Sequence, residues 1–217
     1  MKVRIELIYK TPKGMKTSFN SEMIDAEDAI LISEDLEKTG RVKSIKFVDH
    51  REGTWSVKEL KEFLKGIQTE PHDIIVYFDG GFDLETKHSG LGCSIYYKQN
   101  GKSYRLRKNS LIEELHTNNE AEYAALYLAI DELEQLGVHH LPVQFNGDSQ
   151  VVINQMREEW ACFEDALRSW ADRIENKMKK LGIEPEYLLV SRKENKEADK
   201  LATQALQGIE IISTTEK

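Results

Sequence analysis

The amino-acid sequence predicts an α/β protein: a mixed five-stranded sheet with flanking helices, preceded by a small α+β domain. Three observations predict this architecture. Residues 1–66 follow the order strand, strand, helix, strand, helix. The short apolar run Ile74–Phe78 is typical of a strand that is buried on both faces. After it, three strands in a meander are followed by alternating strands and helices, which indicates a mixed sheet with helices packed on it.

The elements of the first domain, residues 1–66, follow from hydrophobic periodicity and turn residues. Apolar and charged side chains alternate between Val3 and Tyr9, which is the period of a half-buried strand. A Thr-Pro-Lys-Gly turn then leads to a second strand, and two amphipathic helices flank a third one. These elements are predicted at residues 15–19 (strand), 25–38 (helix), 42–48 (strand) and 56–64 (helix). The polar segment 67–73 is the predicted linker.

The second domain, residues 74–207, contains all five strands of the predicted mixed sheet. An Asn-Gly pair at residues 100–101 is a strong hairpin signal, and Gly137 ends a long helix. The predicted strands lie at residues 74–78, 90–98, 103–107, 143–145 and 187–190. The predicted helices lie at residues 119–136, 149–156, 165–180 and 196–206. Residues 208–217 are short and polar, and we expect them to form a frayed tail.

Composition excludes several classes of protein. Of the 217 residues, 40% are hydrophobic and 31% are charged, which suits a globular core and excludes a wholly disordered chain. No apolar run approaches the roughly 20 residues of a membrane helix, and the alternating N-terminus does not resemble a secretory signal. Two cysteines, Cys93 and Cys162, cannot build a disulfide framework or a four-ligand zinc site. We therefore expect a cytoplasmic protein with no membrane partner.

The charge balance argues against strong binding of nucleic acid. The chain has 30 basic and 38 acidic residues, a net charge of −8. Residues 1–70 hold 13 of each sign, so residues 71–217 hold 17 basic and 25 acidic residues. Phosphate contacts supply much of the affinity of nucleic-acid-binding proteins, which therefore usually show a basic surface. The overall composition shows no such surface.

Four acidic residues occupy positions that point to one shared site. Asp79 and Asp148 each follow a predicted strand, and ligands of open sheets collect at the carboxyl ends of strands. Glu122 faces the apolar stripe of the long helix, where an unpaired carboxylate is costly. Asp199 lies beside the apolar stripe of the last helix. Singly, Asp79 could start a turn, Asp148 could cap a helix and Asp199 could be a rim charge, but together the four predict a cluster.

Clustered carboxylates need cations, because they repel one another and raise each other's pKa. Hard, oxygen-preferring ions such as Mg²⁺ or Mn²⁺ are the expected occupants of such a site. Two of these ions about 4 Å apart can stabilise both the attacking and the leaving oxygen of a phosphoryl displacement. The pattern therefore indicates phosphodiester hydrolysis.

Four segments resemble the four motifs of the type 1 ribonuclease H family, in that family's order. The second of them, a Thr-Asn-Asn block followed by Ala-Glu-Tyr, is highly specific. The segments are Tyr77-Phe-Asp-Gly-Gly81, Thr117-Asn-Asn-Glu-Ala-Glu-Tyr-Ala-Ala-Leu126, Gly147-Asp-Ser-Gln-Val-Val152 and Glu194-Asn-Lys-Glu-Ala-Asp-Lys-Leu-Ala202. The resemblance covers about residues 72–207. It implies a ribonuclease H-like fold and endonucleolytic, metal-dependent hydrolysis of the RNA strand of RNA/DNA hybrids.

The resemblance also implies roles for single residues. Two Mg²⁺ ions, or Mn²⁺ as a substitute, would be bound by Asp79, Glu122, Asp148 and Asp199. Substrate contacts would be made by Gly81, Thr117, Asn118, Asn119, Gln150 and Arg192. Among these, Thr117 would contact a DNA phosphate, and the asparagines would read the minor groove and the RNA 2′-hydroxyls, which distinguish RNA from DNA. Gln150 would make another minor-groove contact.

Two departures from the family keep alternatives open. Many bacterial members carry a histidine in the loop before the last helix, where this chain has Arg192; arginine cannot act as a base near neutral pH, so it would hold a phosphate or loosen a metal. The acidic stretch 158–165 stands where some members have a basic, Trp-rich protrusion that grips DNA. One alternative is therefore a non-catalytic nucleic-acid-binding protein on the same fold. A second is a nuclease or phosphatase that acts on single strands or small phosphate esters.

The role of residues 1–66 is a separate question. Their element order loosely resembles the small hybrid-binding domain attached to some ribonucleases H, but they lack its aromatic-glycine motif, and residues 1–70 as a whole carry no net charge. We therefore predict an accessory domain that contacts an unidentified protein, with a nucleic acid as the alternative partner.

Overall fold

The structure, a computed structural model, describes the backbone of all 217 residues and every side chain except those of residues 67 and 68. The chain divides into two compact units, Met1–Thr69 and Glu70–Lys217. Each unit has its own sheet and its own hydrophobic core. Within the described part of the chain, no helix combines the length and the apolar character needed to span a bilayer.

The N-terminal unit is a four-stranded antiparallel sheet with two helices. Its elements are β1 (Lys2–Lys10), β2 (Lys16–Asp25), α1 (Ala26–Lys38), β3 (Val42–Asp49), β4 (Thr54–Trp55) and α2 (Val57–Thr69). The strands lie in the order β2-β1-β3-β4. Alternate residues of β1, Val3 and Ile5, are buried with Phe47 and Leu60, as the period of the sequence predicts. The two-residue strand β4 is the one element added to the predicted order.

The connection between the units is shorter than the predicted linker of residues 67–73. Helix α2 continues to Thr69, and the next strand begins at His72. Pro71 accounts for this boundary, because a proline disfavours the helical conformation in the residue before it. Residues 67–69 of the predicted linker therefore form the end of helix α2. The side chains of residues 67 and 68 lie outside the described residues.

The C-terminal unit is built on a mixed six-stranded sheet in the order β10-β7-β6-β5-β8-β9. Its elements are β5 (His72–Phe82), β6 (Ser89–Gln99), β7 (Lys102–Ile112), α3 (Asn118–Gln135), β8 (Pro142–Gly147), α4 (Gln150–Met156), α5 (Asp165–Leu181), β9 (Glu184–Leu189), α6 (Lys196–Leu206) and β10 (Ile212–Glu216). Strands β5, β6 and β7 form the antiparallel meander, and β8 and β9 run parallel to β5. Asn100 and Gly101 turn the β6–β7 hairpin with φ of 54° and 72°, as the Asn-Gly signal predicts.

The C-terminal tail is a strand, so the prediction that residues 208–217 fray is wrong. Strand β10 pairs antiparallel with β7, with Ile212 opposite Lys108 and Glu216 opposite Tyr104. It adds a sixth strand to the five that the sequence predicted. The buried side chain of Asn109 fixes the approach to β10, because it accepts a hydrogen bond from the Ile211 N–H at 2.7 Å. Residues 211–215 are mostly β-branched, a strand preference that their polarity and terminal position obscured.

Helices α3 and α6 pack on opposite faces of the sheet, and glycines in the strands let both approach closely. A Cβ atom at Gly80 of β5 would lie 2.2 Å from the backbone of Ala121 in α3. The neighbouring Asp79 pairs with Gly92 of β6, where a Cβ atom would lie 2.4 Å from the Ala198 carbonyl oxygen of α6. This close packing places the beginnings of both helices beside the carboxyl end of β5.

Candidate metal centre

Asp79 and Asp148 are brought together by the register of two parallel strands. The last pair in register between β5 and β8 is Tyr77 with Asn146. Each aspartate follows its member of that pair by two residues, so the two carboxylates lie side by side. Asp148 directly follows β8, whereas Asp79 lies inside β5, which continues to Phe82 and not only to the predicted end at Phe78. The side chain of Asp148 is 10% exposed.

Glu122 completes a group of three carboxylates. One oxygen from each of Asp79, Glu122 and Asp148 lies within 4.8 Å of the other two. Glu122 is only 6% exposed, and its Oε2 accepts a hydrogen bond from the Gly80 N–H at 3.2 Å. Gly80 therefore both admits α3 to the sheet and orients the carboxylate that α3 carries.

Asp199 lies near this group but outside it. It stands in the first turn of α6 and is exposed to solvent. Its charge is one of the causes that raise the pKa of Asp79, after burial and the charge of Asp148. The structure thus brings three of the four predicted carboxylates within 4.8 Å, and places the fourth close enough to interact electrostatically with Asp79.

Two acids of this cluster, Asp79 and Glu122, are held in an environment that disfavours their charged forms. Burial, followed by the charges of Asp79 and Asp148, raises the pKa of Glu122 to about 9. Burial, followed by Asp148 and Asp199, raises the pKa of Asp79 to about 7. Arg192 opposes both shifts, with its Nε 3.8 Å from Asp148 Oδ2 and its side chain almost fully exposed. One exposed guanidinium does not compensate the cluster.

The donor set fits a hard divalent cation. The group consists of carboxylate oxygens alone, which suits Mg²⁺ or Mn²⁺ better than metals that prefer sulfur or imidazole ligands. A divalent cation among the three carboxylates would remove the repulsion that raises the pKa of Asp79. The local chemistry therefore matches the expectation from the sequence.

Three of the predicted substrate residues lie at the start of α3. Thr117 is the N-cap of this helix, and its Oγ1 accepts a hydrogen bond from the Glu120 N–H at 3.1 Å. The Oδ1 of Asn118 accepts a hydrogen bond from the Phe82 N–H at 3.2 Å, which links the helix to the end of β5. Asn119 follows in the first turn and is half-buried.

The other three predicted substrate residues each lie beside a carboxylate. Gln150 begins α4, is exposed, and follows Asp148 by two residues. Gly81 follows Asp79 by two residues, and a Cβ atom there would make ordinary contact with Leu206 at 3.7 Å. Arg192 faces Asp148 from the loop before α6.

Asn195 supports the site and was missed by the sequence reasoning. It is fully buried, and its Nδ2 donates to the Phe78 carbonyl oxygen at 2.9 Å and to Asp148 Oδ1 at 3.4 Å. It therefore connects the start of α6 to β5 and to a cluster carboxylate. Its position immediately before a helix suggests a helix cap in the sequence, but the contact with Asp148 depends on tertiary structure alone.

Glu120 was also missed. It is 8% exposed, and its Oε2 accepts hydrogen bonds from the His116 N–H at 3.0 Å and from Thr117 Oγ1 at 3.1 Å. Together with the Thr117 cap, these bonds resemble a capping box in which the glutamate accepts from the residue before the N-cap, and they fix the first turn of α3 and hence the position of Glu122. The signal was present in the sequence as Thr-x-x-Glu at residues 117–120.

Comparison with known proteins identifies the family. A family model described as "Reverse transcriptase-like" matches residues 77–205, a range that includes all four predicted carboxylates. The chain belongs to the reverse transcriptase-like family. A relative over almost the whole length is the uncharacterized protein YpeP of Bacillus subtilis (strain 168), which is 41% identical over 216 residues, 99% of this chain and 95% of that protein. The similarity to YpeP therefore includes the N-terminal unit.

Solved structures similar to this member of the reverse transcriptase-like family are ribonucleases H1. One, from the halophilic archaeon Halobacterium salinarum NRC-1, is 25% identical with a TM-score of 0.53, over 62% of this chain and 98% of that one. Another, LC11-RNase H1 in complex with an RNA/DNA hybrid, is 26% identical with a TM-score of 0.55, over 63% of this chain and 98% of that one. LC11-RNase H1 was isolated from compost by a metagenomic approach. The predicted resemblance to type 1 ribonuclease H and the predicted fold are thus confirmed.

Proposed function

We propose that the protein is a ribonuclease H, a metal-dependent endonuclease that hydrolyses the RNA strand of RNA/DNA hybrids. The observation that carries the proposal is the group formed by Asp79 of β5, Glu122 of α3 and Asp148 after β8, with Asp199 close enough to affect the pKa of Asp79. The family and the fold support this reaction class. The hybrid-bound structure of LC11-RNase H1 supports the substrate class.

The four carboxylates would hold two Mg²⁺ ions, or Mn²⁺ in their place. When bound, such ions activate water and stabilise the oxygen that leaves a phosphodiester. The Gly80 N–H orients the carboxylate of Glu122, and the Asn195 amide orients that of Asp148. Supporting hydrogen bonds of this kind keep oxygen ligands in a fixed geometry. Arg192 always carries a charge, so in this proposal it holds a phosphate beside Asp148 and accepts no proton.

Residues at the start of α3 would recognise the hybrid. Free N–H groups at a helix N-terminus favour a phosphate, and the Thr117 hydroxyl lies among them. Asn118 and Asn119 offer amides that can donate to and accept from RNA 2′-hydroxyls and base edges in the minor groove. Gln150 supplies a further amide next to Asp148, and Gly81 leaves space for the backbone of the substrate. We also propose a cytoplasmic location, which the two free cysteines, Cys93 and Cys162, support.

The test is cleavage of an end-labelled RNA/DNA hybrid with Mg²⁺ and then with Mn²⁺. The full-length protein is compared with Asp148→Asn and with a matched control, Asp172→Asn, which neutralises an exposed aspartate of α5. We expect internal cuts in the RNA strand that require metal, a loss of at least about 100-fold in Asp148→Asn, and unchanged cutting in the control. The panel includes single-stranded RNA, single-stranded DNA, duplex DNA and a small phosphate ester.

Two results would replace the proposal. A folded protein that binds Mn²⁺ and nucleic acid but cuts nothing in the panel would be the non-catalytic binding protein. Cleavage confined to single strands or to the small ester would indicate the other nuclease or a phosphatase.

A further inference from the structure

The N-terminal unit separates its charges along the sequence. Residues 7–21 contain three lysines and no acidic residue, and residues 38–48 contain four basic residues and no acidic one. The acidic residues of the unit lie outside both segments. Because residues 1–70 balance 13 basic against 13 acidic residues, this separation is invisible in the net charge.

The fold brings the two basic segments to one end of the sheet. Lys10 at the end of β1 pairs with Lys16 at the start of β2, and Lys13 lies in the turn between them. The Lys10 N–H donates to the carbonyl oxygen of Arg41 at 2.7 Å, and Lys43 is the second residue of β3. The "basic end" is defined by these five residues: Lys10, Lys13, Lys16, Arg41 and Lys43.

The basic end is not neutralised within its unit. All five side chains are exposed. Among the described side chains of the unit, the ion pairs with carboxylates use other basic residues: Arg4, Lys38, Lys46, Lys58 and Lys61. The ammonium group of Lys16 lies close enough to that of Lys43 to lower its pKa. Adjacent like charges without a counter-charge favour the binding of an anion.

Exposed apolar side chains lie beside these charges. Phe19 is 55% exposed and packs edge-on against Tyr9, with 6.2 Å between ring centroids. The hydroxyl of Tyr9 accepts a hydrogen bond from Arg41 Nη1 at 3.0 Å, so the rings and the charges share one surface. Met15, which precedes β2, is 70% exposed. Because β2 is an edge strand, this surface has no neighbouring strand on one side.

We propose that the basic end binds the phosphodiester backbone of a nucleic acid, independently of its sequence, with the Phe19 ring available for stacking on a base. Several cations around an exposed aromatic ring match a polymer of evenly spaced phosphates and flat bases. The proposal uses no residue of the metal centre, so it is independent of the proposed hydrolysis. It also gives residues 1–66 a nucleic-acid partner in place of the protein partner predicted from the sequence.

The test measures binding by the full-length protein in EDTA, so that metal-dependent cutting is stopped. Fluorescence anisotropy is recorded with a labelled RNA/DNA hybrid, single-stranded RNA and single-stranded DNA at several salt concentrations. The variant Lys13→Gln/Lys16→Gln/Lys43→Gln is compared with Lys2→Gln/Lys58→Gln/Lys65→Gln, which loses the same charge from exposed lysines elsewhere in the unit. Replacing the first three lysines by arginine tests charge alone, and thermal melts verify folding.

We expect the wild-type protein to bind at low salt, and the basic-end variant to bind about tenfold more weakly. The slope of log affinity against log salt should fall by about 2 to 3 in that variant, because three phosphate contacts are lost. The control triple and the arginine triple should stay within about twofold of wild type.

Two results would overturn the proposal: no binding by the wild-type protein to any of the three nucleic acids at low salt, or equal losses in both glutamine triples. The two proposals can fail separately. Metal-dependent cutting with unchanged binding in the basic-end variant would leave only the ribonuclease. Lost binding in that variant, without any cutting by wild type, would leave only the nucleic-acid surface.

Discussion

At residue 80, the absence of a side chain determines the geometry of the metal centre. Glycine there lets the backbone of α3 lie directly against β5, and its N–H holds the carboxylate of Glu122. The next residue, Gly81, has room for a methyl group. Packing therefore requires glycine at position 80 but not at position 81.

Gly80→Ala should destabilise the protein by about 3 kcal/mol and abolish hybrid cleavage. The added Cβ would lie 2.2 Å from the Ala121 backbone, which neither strand nor helix can avoid without moving Glu122. Gly81→Ala is the control, since its Cβ would meet only Leu206 Cδ1 at 3.7 Å, and its stability should be close to wild type. Urea unfolding measures both. Equal stability of the two variants would contradict the packing argument.

The raised pKa values of Asp79 and Glu122 predict how stability depends on pH. An acid whose pKa is higher in the folded than in the unfolded state binds more protons when folded, so stability falls as pH rises between the two values. From an unfolded pKa of about 4, that interval extends to about 7 for Asp79 and to about 9 for Glu122. In EDTA, the free energy of unfolding should therefore fall as the pH is raised from about 5 to about 9.

In Asp79→Asn, the free energy of unfolding should depend less on pH below pH 7, because residue 79 no longer ionises. At pH 8 in EDTA it should raise the free energy of unfolding by on the order of 1 kcal/mol or more, while it removes activity. Saturating Mg²⁺ should stabilise the wild-type protein and have little effect on the variant. Urea melts at pH 6 and pH 8, with and without Mg²⁺, measure this. A metal-free stability that rises with pH would refute the linkage.

At the scale of elements, strand β10 is the clearest departure from the sequence prediction. It covers β7, which would otherwise be an edge strand of the sheet. Its side chains add contacts across the pair, including Lys102 with Glu216 at 2.9 Å and Arg107 with Ser213 at 3.2 Å. Exposed edge strands promote aggregation, so β10 protects as well as stabilises the sheet.

Deletion of residues 212–217 should lower the melting temperature by several degrees and make the protein prone to aggregation. The ladder between β7 and β10 is lost, and the unpaired groups of β7 become available to other chains. Glu216→Gln, which removes only the ion pair with Lys102, should cost no more than about 1 kcal/mol, since that pair is exposed. Thermal melts and light scattering compare the two. Identical behaviour would show that β10 contributes nothing beyond one ion pair.

At the scale of the whole molecule, the predicted carboxylates and the basic end lie in different units. Residues 70–217 contain the complete six-stranded sheet, its core and all four predicted carboxylates. Residues 1–69 contain a separate sheet and core together with the basic end. The acidic unit of the proposed nuclease is thus joined to a unit that can hold a polyanion.

The fragment 70–217 should fold cooperatively and cleave the hybrid in the presence of metal. Its kcat should match that of the full chain, whereas its KM should be higher at low salt and should rise less steeply as salt is added, because the phosphate contacts of the basic end are lost. Circular dichroism and initial rates at several salt concentrations measure this. A folded fragment with an unchanged KM would indicate that the N-terminal unit does not hold the substrate.

The sequence by itself determined the features that rest on local patterns. The alternation of β1, the Asn-Gly hairpin and the apolar stripe around Glu122 are set by neighbours a few residues apart, and the motifs named the family. The strand pattern placed Asp148 directly after β8, whereas Asp79 lies inside β5, which continues to Phe82; the two aspartates still meet because β5 and β8 are parallel and in register. The interaction between Thr117 and Glu120, which the sequence analysis missed, also corresponds to a local pattern, Thr-x-x-Glu.

Only the tertiary structure decided the contacts between distant segments. Asn195 reaches the Phe78 carbonyl across 117 positions, and β10 pairs with a strand about a hundred residues earlier. The basic end joins two positive segments whose charge is offset in the total by acidic residues elsewhere in the unit. Such contacts depend on which surfaces meet when the chain packs, and no local periodicity encodes that choice. The carboxylates were therefore predictable as candidates, whereas the groups that orient them, and the surface proposed to hold nucleic acid, required the fold.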